Sequence, residues 1–350
     1  MEVKEWSYEE YPSFDEPIDG VERIPTTGDE KGAYIFSNVE YAHVDGITLH
    51  LQIIVPRTRN TTDSDETYPC IVYVQGSAWL KQNINSKLGV LSRLAEKGYV
   101  IAVVEYRHSG IAPFPAQAID TRNAIRFMKI HASEYKADAT KMFVAGDSSG
   151  GHSAFFSQLI KEDSNENIYP EADANVKGII SMYGALSIMF EDGMPSTLNH
   201  HQPDSPEGME MGGVDLRNNP DLCRKMSVEC NINEDTPLPP ILMFHGTKDR
   251  TVNPKISVVV YKLLKKYNKN VKLYMLEGAD HGGSGLLPLD AGSFAAMRHV
   301  LFSEPKRMLS FSLSGETEKR FAAACEVFAQ VQLDRRFKTL DFYKSMKIDN

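Results

Sequence analysis

The pentapeptide Gly146-Asp147-Ser148-Ser149-Gly150 has the G-x-S-x-G spacing of a serine nucleophile. An apolar run ends just before it and a helical pattern begins just after it, which predicts a tight strand-to-helix turn. Such a turn is strained, so the residues two before and two after the serine must be small. It would raise the Ser148 hydroxyl above a sheet and aim the N–H of Ser149 at a developing oxyanion. A flexible Gly/Ser loop is the alternative interpretation.

A serine hydroxyl at its normal pKa is a poor nucleophile and needs a base, with a carboxylate that fixes the tautomer of that base. Asp249 follows the apolar run 241–244, and His281 follows the apolar run 271–276. Serine, acid and histidine thus follow three different strands in the order that this motif requires. Because ligands bind at the carboxyl ends of strands in an open α/β sheet, we expect Ser148, Asp249 and His281 to meet there.

Other titratable residues near these positions are poorer candidates. His245 lies at a strand end before the acid, where we expect it to pack or hydrogen-bond. His152 is too close to Ser148 in sequence to reach its hydroxyl. Asp280 adjoins the base but should point elsewhere, and Asp147 is expected to make local hydrogen bonds.

An oxyanion also needs a second backbone donor, from the loop after an early strand. That loop is 75–79. Gly76 allows a sharp turn, and the small Ser77 and Ala78 leave room for an acyl group. We expect the N–H of Ser77 or Ala78 to act with that of Ser149, and Gly76 and Trp79 to contact substrate. Trp79 either forms a wall of the pocket or is an ordinary aromatic core residue.

Alternating apolar and helical segments must position these residues. Six continuous apolar runs are typical of strands buried on both faces of a parallel sheet; they cover 70–74, 99–104, 142–145, 176–183, 240–244 and 271–276. Helices are predicted near 84–97, 115–133, 150–162 and 254–268, with Pro115 in the first turn of the second. This alternation predicts an α/β fold with a doubly wound, mostly parallel sheet. The runs 34–41 and 47–55 flank Asp45-Gly46, which predicts an antiparallel N-terminal hairpin.

The remaining segments suggest a domain organisation. Residues 1–30 are expected to be an irregular arm and 31–300 the catalytic domain. The segment 191–238 is too long for a plain connection and indicates a partly helical lid or a disordered loop. Within this segment, we expect His200 and His201 either to be structural or to contact substrate. Residues 301–350 are expected to be a helical extension. An apolar stripe over 321–331 packs on the core or forms a contact in a homo-oligomer.

Composition limits the partners. The net charge of −9 and the pI near 5.6 argue against nucleic acid and anionic membranes, and they suit a neutral ester substrate. The first residues lack the pattern of a signal peptide, and no run reaches the roughly 18–20 apolar residues of a membrane span. The four cysteines match no zinc spacing. We therefore expect a cytoplasmic protein with reduced thiols, although a secreted chain trimmed of its signal would look the same.

These motifs together resemble those of α/β-hydrolase-fold esterases, most closely the branch related to hormone-sensitive lipase and to bacterial feruloyl and acetyl-xylan esterases. The resemblance rests on segments 76–79, 105–107, 146–152, 245–249 and 280–282. One departure is Gln75-Gly76-Ser77, where the family commonly has His-Gly-Gly.

The resemblance implies a serine carboxylesterase that forms an acyl-enzyme and needs no metal or organic cofactor. The small residues near the site favour short acyl groups. The resemblance suggests acetyl or feruloyl esters of carbohydrates, either small molecules or oligosaccharides. A peptidase of the same fold and a non-catalytic ligand-binding homologue are the alternatives.

Overall fold

The computed structural model describes residues 4–7, 9–25, 32–57, 66–160, 166–189 and 194–283. In these ranges the strands are β1 (Gly32–Val44), β2 (Ile47–Arg57), β3 (Tyr68–Val74), β4 (Val100–Val104), β5 (Ala137–Asp147), β6 (Ile179–Met182), β7 (Ile241–Gly246) and β8 (Val271–Leu276). The helices are α1 (Leu88–Ala95), α2 (Ala116–Ile130), α3 (Ser149–Phe156), α4 (Pro206–Glu210), α5 (Pro220–Met226) and α6 (Lys255–Lys266).

All eight strands form one sheet, in the order β1-β2-β4-β3-β5-β6-β7-β8. The β1–β2 and β2–β4 pairs are antiparallel, and every other neighbouring pair is parallel. Asp45 and Gly46 close the hairpin with φ angles of 51° and 75°, as the twist-compatible turn between antiparallel strands requires. The predicted mostly parallel sheet with an antiparallel N-terminal hairpin is therefore confirmed.

Both faces of the sheet are buried, which explains the continuous apolar runs. Side chains alternate between the faces along a strand. Ile71 packs in the cluster that contains Ala95 of α1, whereas its neighbour Val72 packs in the cluster that contains Ile125 of α2 and Phe155 of α3. A strand in this position has no solvent-facing side, so its sequence shows no polar alternation.

The strand order brings the chemically important loops to one edge. The loop 75–79 follows β3, Ser148 follows β5, Asp249 follows β7 and His281 follows β8. Because β3 neighbours β5 and β7 neighbours β8 in this sheet, the carboxyl ends of these parallel strands carry the loops close together.

The segment after β6 contains the helices α4 and α5 and two short 3₁₀ turns, 216–218 and 228–230. Several helix boundaries differ from expectation: α1 begins at Leu88 and not near 84, and α3 ends at Phe156 and not near 162. Pro115 occupies the N-cap of α2 and not its first turn, and α2 ends at Ile130, before a separate 3₁₀ turn over 132–135. The described part of the N-terminal arm, 4–7 and 9–25, consists of turns and irregular backbone.

The predicted C-terminal extension, 301–350, with its apolar stripe, lies outside the described residues. Within the described ranges, no helix combines the length and the hydropathy needed to cross a membrane. Cys70, Cys223 and Cys230 are free thiols there.

Candidate active site

The turn at Ser148 has the geometry that the sequence predicts. Ser148 is the N-cap of α3, with φ 52° and ψ −127°, a conformation that L-residues rarely adopt. A Cβ atom on Gly146 would lie 2.2 Å from the carbonyl oxygen of Gly150. A Cβ atom on Gly150 would lie 2.1 Å from the carbonyl oxygen of Val74. Glycine is therefore required on both sides of the serine, because the first turn of α3 passes directly against β3 and β5.

The three predicted residues lie within hydrogen-bond distance in series. The Oγ of Ser148 is 2.9 Å from Nε2 of His281, although the two residues are 133 positions apart. The Nδ1 of His281 is 2.8 Å from Oδ2 of Asp249. Because a carboxylate can only accept, Nδ1 carries the proton and Nε2 is left to accept the proton of the serine hydroxyl.

Asp249 is buried yet held as a carboxylate. Burial by itself would raise its pKa, but hydrogen bonds from His245 and His281 and from backbone N–H groups lower the pKa well below its usual range. The N–H groups of Thr251 and Val252 donate to its Oδ1 at 2.9 and 2.8 Å. A fixed negative charge at this point can orient an imidazole and stabilise the imidazolium form of that ring.

His245 is buried, and its ring contacts the carboxylate of Asp249. Its Nε2 lies 2.9 Å from the carbonyl oxygen of Val252 and 3.2 Å from Oδ2 of Asp249, so Nε2 carries the proton. Its Nδ1 lies 2.7 Å from the hydroxyl of Ser257 on α6. These contacts agree with the hydrogen-bonding role expected for His245 from its position at the strand end.

The loop 75–79 lies against the elbow through two hydrogen bonds. The N–H of Gly76 donates to Oδ1 of Asp147 at 3.1 Å, and the N–H of Ser77 donates to Oγ of Ser149 at 3.0 Å. In the described structure the N–H groups of Ala78 and Ser149 make no such bond. Of the two alternatives for the second oxyanion donor, the geometry therefore favours Ala78, since the N–H of Ser77 is already engaged.

Gly76 and Trp79, the two residues expected to contact substrate, both make close contacts within the protein. A Cβ atom on Gly76 would lie 2.4 Å from the carbonyl oxygen of Asp147, so Gly76 lets the loop approach the elbow closely. Trp79 is only 1% exposed, and its ring packs edge-to-face against the ring of His152 at 5.3 Å. In this conformation the ring of Trp79 is therefore packed as an ordinary aromatic core residue.

Several residues that the sequence analysis set aside have clear partners. The carboxylate of Asp147 accepts from the hydroxyls of Tyr73 and Tyr183 and from Lys87. The carboxylate of Asp280 pairs with Arg250 and accepts from the backbone N–H of His281 at 2.8 Å, whereas the imidazole of His281 contacts Asp249. The Nε2 of His152 lies 2.8 Å from the carbonyl oxygen of Met226, and burial lowers the pKa of this histidine to about 4.

The segment after β6 is attached to the loop that carries the acid. His200 is buried, with Nδ1 2.8 Å from Oε1 of Glu207 and Nε2 3.0 Å from the carbonyl oxygen of Thr251. The N–H of Thr197 donates to the carbonyl oxygen of Arg250 at 2.7 Å. His200 therefore has a structural position in this conformation, while His201 is half-buried.

Two tyrosines near the site received no role in the sequence analysis, although Tyr106 lies in the segment 105–107 that carries the family resemblance. The ring of Tyr183 packs edge-to-face on the ring of His281, with 5.0 Å between centroids. The hydroxyl of Tyr106 lies 2.9 Å from Oγ of Ser77. Tyr183 follows β6 and Tyr106 follows β4, so both lie just beyond the carboxyl end of a strand. That position, where ligands bind in an open α/β sheet, is the signal that could have identified them.

Residues 52–264 match the BD-FAE family model, which is more than half of the 350-residue chain. The chain belongs to the BD-FAE family. The match includes Ser148 and Asp249 but ends before His281, so the contact of His281 with the other two residues comes from the structure.

Two relatives of this BD-FAE chain have esterase names. The chain is 31% identical over 128 residues to the probable carboxylic ester hydrolase LipM of Mycobacterium tuberculosis, covering 36% of this chain and 30% of LipM. It is 24% identical over 262 residues to the probable isoprenylcysteine alpha-carbonyl methylesterase ICMEL2 of Arabidopsis thaliana, covering 72% of this chain and 58% of ICMEL2. The chain thus spans less than two thirds of the length of either relative.

The fold of this BD-FAE chain is also similar to that of a truncated carbohydrate esterase from gut microbiota. The TM-score is 0.62 at 22% identity, over 74% of this chain and 92% of that structure. This similarity confirms the predicted α/β-hydrolase fold.

Proposed function

We propose that this BD-FAE protein is a serine carboxylic-ester hydrolase that cleaves short-acyl esters through an acyl-enzyme on Ser148. The observation that carries the proposal is the hydrogen-bonded series Ser148–His281–Asp249, at 2.9 and 2.8 Å, with the acid buried and ionised. A nucleophile, a base within reach and a fixed orienting carboxylate are the parts that acyl transfer requires.

The reaction follows from this arrangement. The Oγ of Ser148 attacks the ester carbonyl while His281 takes its proton at Nε2, and Asp249 stabilises the resulting imidazolium. The carbonyl oxygen becomes an oxyanion that the N–H groups of Ala78 and Ser149 bind. His281 then protonates the departing alkoxide. In the second half, His281 activates a water molecule that hydrolyses the acyl-enzyme and regenerates Ser148.

The positive φ at two positions of the loop supports this assignment of donors. Ala78 and Trp79 have φ angles of 56° and 55°, an uncommon conformation for residues other than glycine. Together with the hydrogen bond from Ser77 to Ser149, these turns fix the direction of the Ala78 N–H. Donors that are fixed in advance need no reorganisation when the oxyanion forms, which is the main source of their effect on rate.

Three observations bear on the substrate class. Small side chains at Ser77 and Ala78 favour a short acyl group, acetyl first, with feruloyl as the alternative. The carbohydrate esterase title of the similar gut-microbiota structure supports an ester of a sugar or oligosaccharide. The net charge of −9 is in keeping with a neutral substrate.

We also propose that residues 191–238 form the lid of a catalytic domain that extends over 31–300. The described part of the lid, 194–238, contains α4 and α5, and its contacts through His200 and Thr197 reach the backbone next to Asp249. A segment attached in this way can cover the site without belonging to the sheet.

The test compares hydrolysis of p-nitrophenyl acetate, butyrate and octanoate by the wild type and by Ser148→Ala, together with labelling by a fluorophosphonate. We expect acetate to be preferred, and kcat to fall by at least about 10⁴-fold in the variant. The label should map to Ser148 in the wild type. Ser153→Ala is the matched control, since Ser153 is a buried serine one turn along α3 whose hydroxyl donates to the carbonyl oxygen of Ser149.

Activity that survives Ser148→Ala would contradict the proposed nucleophile. A fluorophosphonate adduct without ester hydrolysis would favour a peptidase of the same fold. The absence of both would favour a non-catalytic binding protein.

A further inference from the structure

Tyr183, the first residue after β6, is a buried tyrosine with a strained backbone. It is 4% exposed, and its φ angle of 40° is positive, which is uncommon for residues other than glycine and an outlier for a bulky one. Such strain persists only where the surrounding structure imposes it, and it is concentrated at functional sites. The conformation of Tyr183 therefore calls for an explanation in terms of what its side chain contacts.

The backbone of Tyr183 lies between the strands that carry the serine and the acid. Its N–H donates to the carbonyl oxygen of Phe244 in β7 at 2.6 Å. The preceding residue, Met182, accepts from the N–H of Ser148 at 3.0 Å. Because β6 pairs with β5 on one side and with β7 on the other, Tyr183 is fixed at the edge where the loops of Ser148 and Asp249 begin.

The ring of Tyr183 packs on the base of the site. Its centroid lies 5.0 Å from that of the His281 imidazole, and the two planes meet at 70°, an edge-to-face arrangement. The contacts of His281 with Ser148 and Asp249 are made at its two ring nitrogens. Two such bonds hold the nitrogens but permit the imidazole to rock about the line that joins them. A second ring in contact with the imidazole opposes this motion.

The hydroxyl of Tyr183 is anchored on the residue next to the nucleophile. It donates to Oδ2 of Asp147 at 3.2 Å, and both side chains are buried. Burial first, and then the charges of Asp147 and Asp249, raise the pKa of Tyr183, so the hydroxyl keeps its proton and donates. One side chain with few rotatable bonds therefore connects the residue before Ser148 with the imidazole that activates Ser148.

The carboxylate of Asp147 is in turn held by three further donors. Its Oδ1 accepts from the hydroxyl of Tyr73 and, at 3.1 Å, from the N–H of Gly76, and its Oδ2 also accepts from Lys87. A carboxylate offers about four lone-pair sites, which these donors and the phenol occupy together. The ammonium group of Lys87 also balances the buried negative charge. The anchor of the phenol is thus itself fixed.

We propose that Tyr183 is a positioning residue for the base: its ring, anchored through its hydroxyl on Asp147, holds the imidazole of His281 in line with Ser148. The inference rests on the proposed ester hydrolysis and deepens it, because it gives the base a support that is separate from Asp249. The acid sets the tautomer of His281, whereas Tyr183 sets the angle of its ring. Because Tyr183 is buried, it acts on the base and not on the substrate.

The first test observes the imidazole and not turnover. In the full-length wild type, the proton on Nδ1 of His281 should give a downfield proton NMR signal at low temperature, identified by its loss in His281→Gln. Tyr183→Phe keeps the ring but removes its anchor, so orientations of His281 that are open to water should become more populated. We expect the Nδ1 proton to exchange with water at least about threefold faster in this variant.

The second test measures the consequence for the rate of hydrolysis. In Tyr183→Phe, kcat for p-nitrophenyl acetate should fall by about three- to tenfold, the effect of one lost hydrogen bond, with KM unchanged. Tyr183→Leu removes the ring as well and should lower kcat by up to about 10²-fold, the scale of a misplaced catalytic group. If Tyr183→Leu fails to fold, Tyr183→Phe decides alone.

Tyr73→Phe is the matched control. Tyr73 is also buried and donates to the same carboxylate, but its ring packs in the cluster that contains Leu91 and Ala95 of α1. This variant therefore removes a hydrogen bond to the anchor without releasing the ring beside His281. We expect its melting temperature to fall about as much as that of Tyr183→Phe, while proton exchange and kcat stay within about twofold of the wild type.

Three results would overturn the positioning role: no downfield signal in the wild type, exchange in Tyr183→Phe at the wild-type rate, or an equal acceleration in Tyr73→Phe. A loss confined to KM would also contradict it, because Tyr183 would then act on substrate binding. Hydrolysis of no ester by the wild type would contradict the proposed function instead. The exchange measurement would still decide whether Tyr183 holds the ring of His281.

Discussion

The backbone N–H of Ser77 donates to the side-chain oxygen of Ser149 at 3.0 Å, and this bond joins the oxyanion loop to the first residue of α3. The two residues are 72 positions apart, on the loops after β3 and β5. With the bond from Gly76 to Asp147, this hydrogen bond therefore helps to set the distance between the two proposed oxyanion donors, the N–H groups of Ala78 and Ser149.

Ser149→Ala should weaken catalysis by loosening this distance. The variant removes the acceptor but leaves both proposed donors in the chain, so the loss should be smaller than the roughly 10²–10³-fold that follows removal of a donor. We expect kcat on p-nitrophenyl acetate to fall by about tenfold with little change in KM. Steady-state kinetics beside Ser153→Ala measures this; a change in KM alone would show that the bond serves substrate binding.

Asp249→Asn should abolish most of the activity while leaving the fold in place. An amide can donate to Nδ1 of His281, and this would favour the tautomer with its proton on Nε2, which cannot accept from Ser148. The expected decrease in kcat is about 10³–10⁴-fold.

Asp280→Asn is the matched control for the acid. Asp280 adjoins the base but pairs with the exposed Arg250. We expect kcat to decrease by less than about tenfold in this variant. A larger loss from Asp280→Asn than from Asp249→Asn would reassign the acid.

Gly150→Ala should prevent the elbow from forming. The new Cβ atom would lie 2.1 Å from the carbonyl oxygen of Val74, a backbone atom of the central sheet that cannot move aside cheaply. We expect a large loss of thermal stability or of soluble protein.

Gly89→Ala is the opposite case, in helix α1. Nothing lies within 4 Å of a Cβ atom at Gly89, so this change should raise the free energy of unfolding by up to about 1 kcal/mol. Thermal melting of the two variants side by side checks both expectations. Equal stability of Gly150→Ala and the wild type would contradict the close approach of α3 to β3.

His152 should make the fold less stable in mild acid. Burial lowers its pKa from 6.5 to about 4, so between these values the unfolded chain binds a proton that the folded protein does not. Unfolding is therefore favoured as the pH falls through this window, by up to about 3 kcal/mol.

Urea unfolding at pH 7 and pH 5 measures this effect. His152→Gln keeps a donor for the carbonyl oxygen of Met226 but does not titrate. The difference in unfolding free energy between the two pH values should be smaller in the variant than in the wild type. The same difference in both proteins would show that His152 is not the titrating group.

Much of this architecture was predictable because the physical causes are local or periodic. Strands buried on both faces have to be apolar throughout, as in β3 and β4, and the turn Asp45-Gly46 has few alternatives. The spatial approach of Ser148, Asp249 and His281 was predictable because parallel strands deliver their carboxyl ends to one edge.

Other features depend on contacts that no pattern encodes. The choice between Ser77 and Ala78 was open because it turns on the direction of one N–H group and on the side chain of Ser149, 72 residues later. The burial of Glu210 was missed because an acidic residue in a polar, proline-rich segment is usually exposed. The backbone of Glu210 accepts from the N–H of Phe114, nearly 100 positions earlier in the chain, and its side chain is fully buried.

The strand that carries the base has a consequence for inactivation. In the described part of the chain, β8 lies at the edge of the sheet and pairs only with β7, whereas β5, which carries the serine, is paired on both sides. Edge elements open at a lower free energy than the centre of a sheet. Mild heating should therefore separate His281 from Ser148 and abolish hydrolysis reversibly, while most of the circular dichroism signal persists. Catalytic activity would then be lost before the protein denatures.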